Sequence, residues 1–164
     1  MKKVSKRPSA FLDRDGVLNK DTGFAHKPSQ IEWISGAKAA VAFLKNQGYL
    51  VFVVTNQSGI ARGLYTEDDV ERLHAWMNKD LLQAGSFPID DFRYSPYHPE
   101  FDNGHYSDFK DWRKPSPGMI LDIMENWPVD NTRSFLIGDR KSDIKAAEAA
   151  NIRGFLFDLS LIHI

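Results

Sequence analysis

The chain contains no cysteine, which removes disulfides and thiolate-held metal before any motif is read. It has no apolar run near the roughly 20 residues that cross a bilayer, so no membrane partner is expected. It also lacks an excess of either charge: 21 basic residues against 22 acidic ones leave a formal net charge of -1. With no basic stripe, a nucleic-acid groove is not indicated. The basic N-terminus, Met1 to Ala10, is not followed by the apolar stretch of a signal peptide, which makes a cytoplasmic location the expectation. No repeat, low-complexity tract or linker interrupts the chain. At 164 residues it suits one domain spanning 1–164, able to bury a core but short for a separate capping domain, and a monomer is expected.

What is present is a series of short apolar runs separated by helix-like segments, the pattern of a Rossmann-like α/β fold with a parallel sheet covered by helices on both faces. The runs are Ser9 to Leu12, Tyr49 to Val54, the weaker Asp91 to Tyr94, Ser134 to Ile137 and Gly154 to Phe157. The second is apolar throughout and rich in β-branched residues, as a strand buried on both faces requires, and it is expected to stop at Thr55. Ala37, Ala40, Val41 and Leu44 form one helical stripe, and Val70, Leu73, Met77 and Leu81 form another behind a Thr66 cap. Ser116 and Pro117 read as a cap and first helical residue before Met119, Ile120 and Ile123, and Ser142 opens a last helix carrying Ile144 and Ala147. Lys20 to Ser35 and Pro96 to Lys114 have no periodicity, and loops of that length commonly bind ligands or act as lids.

Four polar segments follow the apolar runs, where open α/β sheets place their ligands. In FLDRDGVLN, Asp13 and Asp15 stand one residue apart at a strand end, a costly arrangement that calls for a cation, a shared proton or solvent. A simple acidic turn is the alternative. In TNQSG, Thr55, Asn56, Gln57 and Ser58 offer neutral hydrogen bonds and loop N–H groups to phosphate oxygens, although the same residues also make plain turns. In RKPSPG, Arg113 and Lys114 offer a bidentate fork and a compact charge to a phosphoryl group, or else a solvated basic pair. In GDRKSD, Asp139 follows a strand and Asp143 lies in the next helical turn. Strand-end carboxylates with a backbone carbonyl meet the demands of Mg²⁺, and a dipole-stabilised helix-start acid is the other reading of Asp143.

In this order the four segments resemble the motifs of the haloacid dehalogenase-like phosphohydrolases. The nearer likeness is to a small capless branch acting on heptose bisphosphate or histidinol phosphate, and VVTNQSGIARG, the Trp76-Met77 pair and RKPSPGM carry it toward the heptose enzymes. The resemblance implies Mg²⁺-dependent hydrolysis of a phosphomonoester, the 7-phosphate of D-glycero-D-manno-heptose 1,7-bisphosphate, with histidinol phosphate or another small phosphomonoester as the alternative. A non-catalytic phosphate- or partner-binding domain would be expected to have lost Asp13, Asp15, Lys114 or Asp139, and all four are present. By the same likeness Asp13 is the nucleophile and Asp15 the acid and base. Asp13, the Asp15 carbonyl and Asp139 hold the metal, Thr55 and Lys114 hold the phosphoryl group, and Asp143 supports them from behind. Arg113 and the segment Asp21, Thr22, Gly23 and Phe24 contact the rest of the substrate, together with Asn56, Gln57 and Ser58.

The family's zinc loop, of the form C-P-H-H-P followed by C-D-C-R-K-P, is not preserved. Ser95, Tyr97, Lys110 and Trp112 occupy the four ligand positions, so zinc is not expected. A rebuilt site using His98 or His105 with Asp102 or Asp108 has new spacing and no thiolate. The aromatic residues Tyr97, Phe101, Tyr106, Phe109 and Trp112 suggest instead one small cluster holding the loop by apolar burial. His26 reads as an incidental loop histidine, and His74 and His163 receive no role.

Overall fold

The computed structural model describes residues 4–159; the first three residues and His163 lie outside that range. Five strands form one wholly parallel sheet: β1 (Ser9–Leu12), β2 (Leu50–Asn56), β3 (Asp91–Ser95), β4 (Phe135–Gly138) and β5 (Arg153–Leu156), in the spatial order β3-β2-β1-β4-β5. Four helices connect them: α1 (Ala37–Asn46), α2 (Glu67–Gln83), α3 (Gly118–Asn126) and α4 (Lys141–Ala149). No helix among the described residues is long and apolar enough to cross a membrane.

Alternation along the two central strands builds two cores. Ala10 and Leu12 of β1 and Val51 and Val53 of β2 face Val41 of α1 and Leu73, Met77 and Leu81 of α2. Phe11, Phe52 and Val54 point the other way, onto Met119, Ile120 and Ile123 of α3 and Ala146 and Ala147 of α4. Both faces of β1 and β2 are therefore dry, which is why these runs show no polar alternation. Strand β5 is a largely exposed edge.

Local departures from the expected boundaries have simple causes. Strand β2 continues through Thr55 to Asn56 because β3 pairs with it as far as Ser95. Helix α3 starts at Gly118 with Pro117 as its cap residue, later than Ser116 and Pro117 suggested. Helix α4 starts at Lys141, and the Asp143 carboxylate, not Ser142, bonds the backbone N–H of the cap residue Arg140, at 3.1 Å. Ala40 is exposed, so the buried side of α1 is narrower than its stripe. Thr66 caps α2 as expected, accepting from the Asp69 N–H while the Asp69 carboxylate accepts from the Thr66 N–H.

The two unpatterned stretches contain short 3-10 segments, Pro28–Gln30 and Ser107–Trp112, and the first also makes an isolated bridge from Trp33 to Asn19. The aromatic residues of the second do not form one cluster. Phe109 and Trp112 pair edge-on at 5.3 Å, and Trp112 also packs on the α3 and α4 core. Tyr106 joins Ile60, Tyr65 and Val70 on the opposite side, and the Arg62 guanidinium covers Phe101 at 4.2 Å. The rings face different neighbours, so the loop is pinned at several separate points. Its polar groups close local turns: His98 Nδ1 accepts from the Glu100 N–H at 3.1 Å, and Asp102 from the Tyr106 N–H at 2.9 Å.

Candidate active site

The C-terminal ends of β1, β2 and β4 open into a cavity of about 620 Å³. Asp13 is the first residue past β1, and its N–H donates to the Ile137 carbonyl of β4 at 3.0 Å. The residue is 7% exposed, and its carboxylate receives Lys114 Nζ at 3.0 Å. The same ammonium donates to Asp143 at 2.5 Å and to the Val54 carbonyl at 2.9 Å, so its three protons are all engaged. Burial alone pulls Lys114 down, but Asp13 and Asp143 outweigh it and hold the amine above its ordinary range. Asp13 is raised as well, but by burial: reinforced by Asp143 and Asp139 and opposed by Lys114, it lifts the carboxyl to about 7.

One carboxylate oxygen each from Asp13, Asp139 and Asp143 lies within 4.8 Å of the others. Lys114 and the Arg140 N–H occupy Asp143, whereas Asp139 Oδ1 is buried without a hydrogen-bond partner. Gly16, at φ +92°, leaves room there: a Cβ would lie 2.1 Å from Asp139 Oδ2. Two acids on one ammonium, with the orphaned buried oxygen of a third carboxylate beside them, form a hard-oxygen set that suits a divalent cation at Asp13 and Asp139. Asp139 does not line the main cavity; with Gly16 it borders an adjoining one of about 560 Å³.

Asp15 is gripped from four directions. Arg14 Nε and Nη2 donate to its two oxygens at 3.1 Å each, Asn19 Nδ2 donates at 2.9 Å and Gln57 Nε2 at 3.1 Å. Gln57 also donates to Thr55 Oγ1 at 2.9 Å and accepts from the Tyr65 hydroxyl at 2.6 Å. Burial pushes the Tyr65 phenol up to about 12, so it stays a donor. The Thr55 oxygen is an acceptor in this chain of bonds, which leaves its proton for an oxygen in the cavity.

These contacts change the reading of TNQSG. Gln57 is 2% exposed with its amide committed to Asp15, Thr55 and Tyr65, and its N–H donates to the Ser95 carbonyl. Asn56 binds the backbone of Lys114 through both ends of its carboxamide. Both border the cavity, but as framework for other residues and not as free hydrogen-bonding groups. Ser58, Asp21, Gly23, Phe24 and Arg113 also line it, while Thr22 does not.

Three arginines share the rim. Burial and the charges of Arg62 and Arg140 hold the Arg113 guanidinium below its ordinary range. Arg113 donates to the Tyr97 carbonyl, and Arg62 donates to Ser58 and lies over Phe24 at 5.3 Å. Arg140 reaches the Asp21 carboxylate at 3.3 Å. Arg14, Tyr65, His74, Arg62 and Arg140 all escaped the sequence reading. Arg62 and Arg140 sit inside the motif segments as ordinary surface-type residues, and only their convergence marks them.

A parallel sheet of this order, with an aspartate pair after its central strand and a buried lysine from a remote loop, defines a phosphohydrolase of the haloacid dehalogenase-like class. Residues 111–158 match the family model for HAD-hydrolase-like proteins. Over 153 residues the chain is 50% identical to a D-glycero-beta-D-manno-heptose-1,7-bisphosphate 7-phosphatase of Rhodopseudomonas palustris, covering 93% of this chain and 84% of that one. The chain belongs to the haloacid dehalogenase-like heptose-bisphosphate phosphatase family.

Another relative, from Burkholderia mallei, is named for the alpha anomer and is 42% identical, covering 90% of this chain and 77% of that one. Among solved structures, a HAD-like phosphatase from Mesorhizobium loti superposes with a TM-score of 0.85 at 33% identity, covering 93% of this chain and 73% of that one. The D,D-heptose 1,7-bisphosphate phosphatase of B. bronchiseptica, complexed with magnesium and phosphate, superposes with a TM-score of 0.80 at 34% identity, covering 91% and 79%.

Proposed function

We propose that this protein, acting as a single-domain cytoplasmic monomer, removes the 7-phosphate of D-glycero-D-manno-heptose 1,7-bisphosphate through an aspartyl-phosphate on Asp13. The observation that carries the reading is the Lys114–Asp13 contact at 3.0 Å, a buried nucleophile held against its neutralising charge at the floor of a cavity with a cationic rim. The names of the relatives at 41–50% identity support the choice of sugar.

Asp13 attacks phosphorus, forming its O–P bond as the bond to the sugar oxygen breaks. Lys114 offsets the charge of the nucleophile, and the Thr55 hydroxyl donates to a phosphoryl oxygen. Lys114 reaches a phosphoryl oxygen only by exchanging one of its three protein acceptors. Asp15 gives its proton to the departing sugar oxygen, then takes one from the water that releases phosphate from Asp13. Four donors fill the lone-pair positions of the Asp15 carboxylate, so the proton it carries displaces one of them. Asp13, Asp139 and the Asp15 carbonyl would hold Mg²⁺, which would supply charge neutralisation at the phosphoryl group. Asp143 keeps Lys114 charged and oriented. Arg62, Arg113 and Arg140 suit the second phosphate of a bisphosphate, since arginine forks pair with phosphate oxygens.

The test is phosphate release with Mg²⁺ from both anomers of heptose 1,7-bisphosphate, alongside histidinol phosphate and a broader panel of phosphorylated metabolites. Turnover is expected on a heptose bisphosphate, and Asp13→Asn is expected to abolish it with the fold retained by circular dichroism. Preference for histidinol phosphate would overturn the choice of substrate, and inactivity across the panel would overturn the enzymatic reading.

A further inference from the structure

Arg14 stands between the two reactive aspartates and has no exposed surface. A buried guanidinium is costly unless its N–H groups find acceptors. Besides its fork on Asp15, Nη2 donates to the Ala25 carbonyl at 2.9 Å, and Nη1 lies 3.3 Å from His74 Nε2. His74 belongs to α2, is 5% exposed, and stacks face-on against Phe92 of β3 at 4.3 Å. The guanidinium offers only donors, so the ring nitrogen facing it has to accept. His74 is therefore the neutral imidazole with its proton on Nδ1. Burial and the Arg14 charge both hold the ring well below its ordinary range, in agreement with that tautomer.

We infer that His74 is a positioning residue for Asp15: by accepting from Arg14 Nη1 it locks the guanidinium fork that sets the plane of the Asp15 carboxylate over the reacting centre. The inference rests on the reading of Asp15 as acid and base given above. With Nη1 on His74 and Nη2 on Ala25, Arg14 is not free to withdraw. Asn19 or Gln57 is the donor that yields when Asp15 takes its proton, while the fork keeps the carboxylate aimed. A substitution of His74 thus acts on proton transfer to the leaving group, and not on phosphate binding.

Leaving-group dependence separates this from a merely structural role. An alkoxide leaving from a sugar phosphate needs the Asp15 proton, whereas the phenolate leaving from p-nitrophenyl phosphate does not. Phosphoenzyme formation is followed by rapid quench on the full chain with Mg²⁺, for the wild type, His74→Leu, His74→Gln and Asp15→Asn. The leucine variant is expected to lose about ten-fold or more on heptose bisphosphate and less than about two-fold on p-nitrophenyl phosphate, with KM little changed. The glutamine variant, whose carbonyl can accept from Arg14, is expected to recover most of the loss. His74→Met replaces the leucine variant should the latter not fold. Equal losses on both substrates, or a glutamine variant no better than leucine, would overturn the inference. If Asp15→Asn shows the leaving-group dependence and His74→Leu does not, only the role of His74 falls. If Asp15→Asn shows none, the acid/base reading of Asp15 falls and takes this inference with it.

Discussion

Asn56 and Lys114, 58 residues apart in sequence, exchange two hydrogen bonds: the Lys114 N–H donates to Asn56 Oδ1 at 3.0 Å and Asn56 Nδ2 donates to the Lys114 carbonyl at 3.2 Å. A side chain at the end of β2 thereby holds the main chain of the loop that delivers the lysine to Asp13. Asn56→Ala is expected to lower kcat by roughly 100-fold, the scale of an ångström-sized misplacement of a reacting group. The protein should lose only about 1 kcal/mol of stability. Steady-state kinetics alongside urea unfolding check this, and a fall in stability without a fall in kcat would count against it.

Asp13 gives a pH prediction of definite sign. Its carboxyl is raised from 3.8 to about 7 in the folded protein, so the folded state holds that proton more tightly than the unfolded chain. The resulting stabilisation is complete below about pH 4 and is lost as pH rises through 7. Asn at this position has nothing to lose. In Mg²⁺-free buffer at pH 8, Asp13→Asn should melt several degrees above the wild type, a gain on the order of 1–2 kcal/mol. The gap should close toward pH 4 and narrow when Mg²⁺ is added. A wild type that is the more stable protein at pH 8 without Mg²⁺ would refute this.

Gly16 is a sharper probe of the cation site than any carboxylate substitution, because changing it deletes no ligand group. Its φ of +92° and the 2.1 Å approach of a Cβ to Asp139 Oδ2 mean that Gly16→Ala has to push Asp139 aside. The Mg²⁺ concentration for half-maximal activity is expected to rise about ten-fold, with roughly 1–2 kcal/mol of stability lost to backbone strain. An unaltered Mg²⁺ titration would remove Asp139 from the proposed ligand set.

The arginine rim predicts selectivity. Arg62 has a hydroxyl and two aromatic rings beside it and sits near enough to Arg113 to lower it, an arrangement that an incoming anion relieves. Arg62→Ala should raise KM for heptose 1,7-bisphosphate about ten-fold, the scale of one charge-assisted hydrogen bond. It should leave KM for a heptose 7-phosphate lacking the second phosphate nearly unchanged. A similar rise for both substrates would show that Arg62 does not read the second phosphate.

The fold was legible because its signals are local. Continuous apolar runs such as Leu50 to Val54 identify strands buried on both faces, and three of the four motifs follow directly after such runs. Asp13, Thr55 and Asp139 could be picked out by that placement, whereas Lys114, at the end of the 96–114 stretch, stood out by motif resemblance. The protein partners of Gln57 and Asn56 were not legible, because a carboxamide after a strand looks the same whether it faces a ligand, a side chain or a neighbouring backbone. Nothing in DRDG marks Arg14 as buried, and nothing beside the α2 stripe singles out His74. The aromatic residues of the 96–114 stretch read as one cluster because proximity in sequence was the only proximity available there.

Sequence by itself determined the class of fold, the order of the motifs and the candidate carboxylates at the strand ends, since strand burial and strand-end placement are encoded in short stretches of residue type. Tertiary structure alone decided which groups are spent on one another. It gathered the carboxylates of Asp13, Asp139 and Asp143, left an Asp139 oxygen unpaired, committed Gln57 to Asp15, and brought Arg62, Arg113 and Arg140 to one rim. Those are relations between residues tens of positions apart, and their energies depend on distance and burial that no single segment carries.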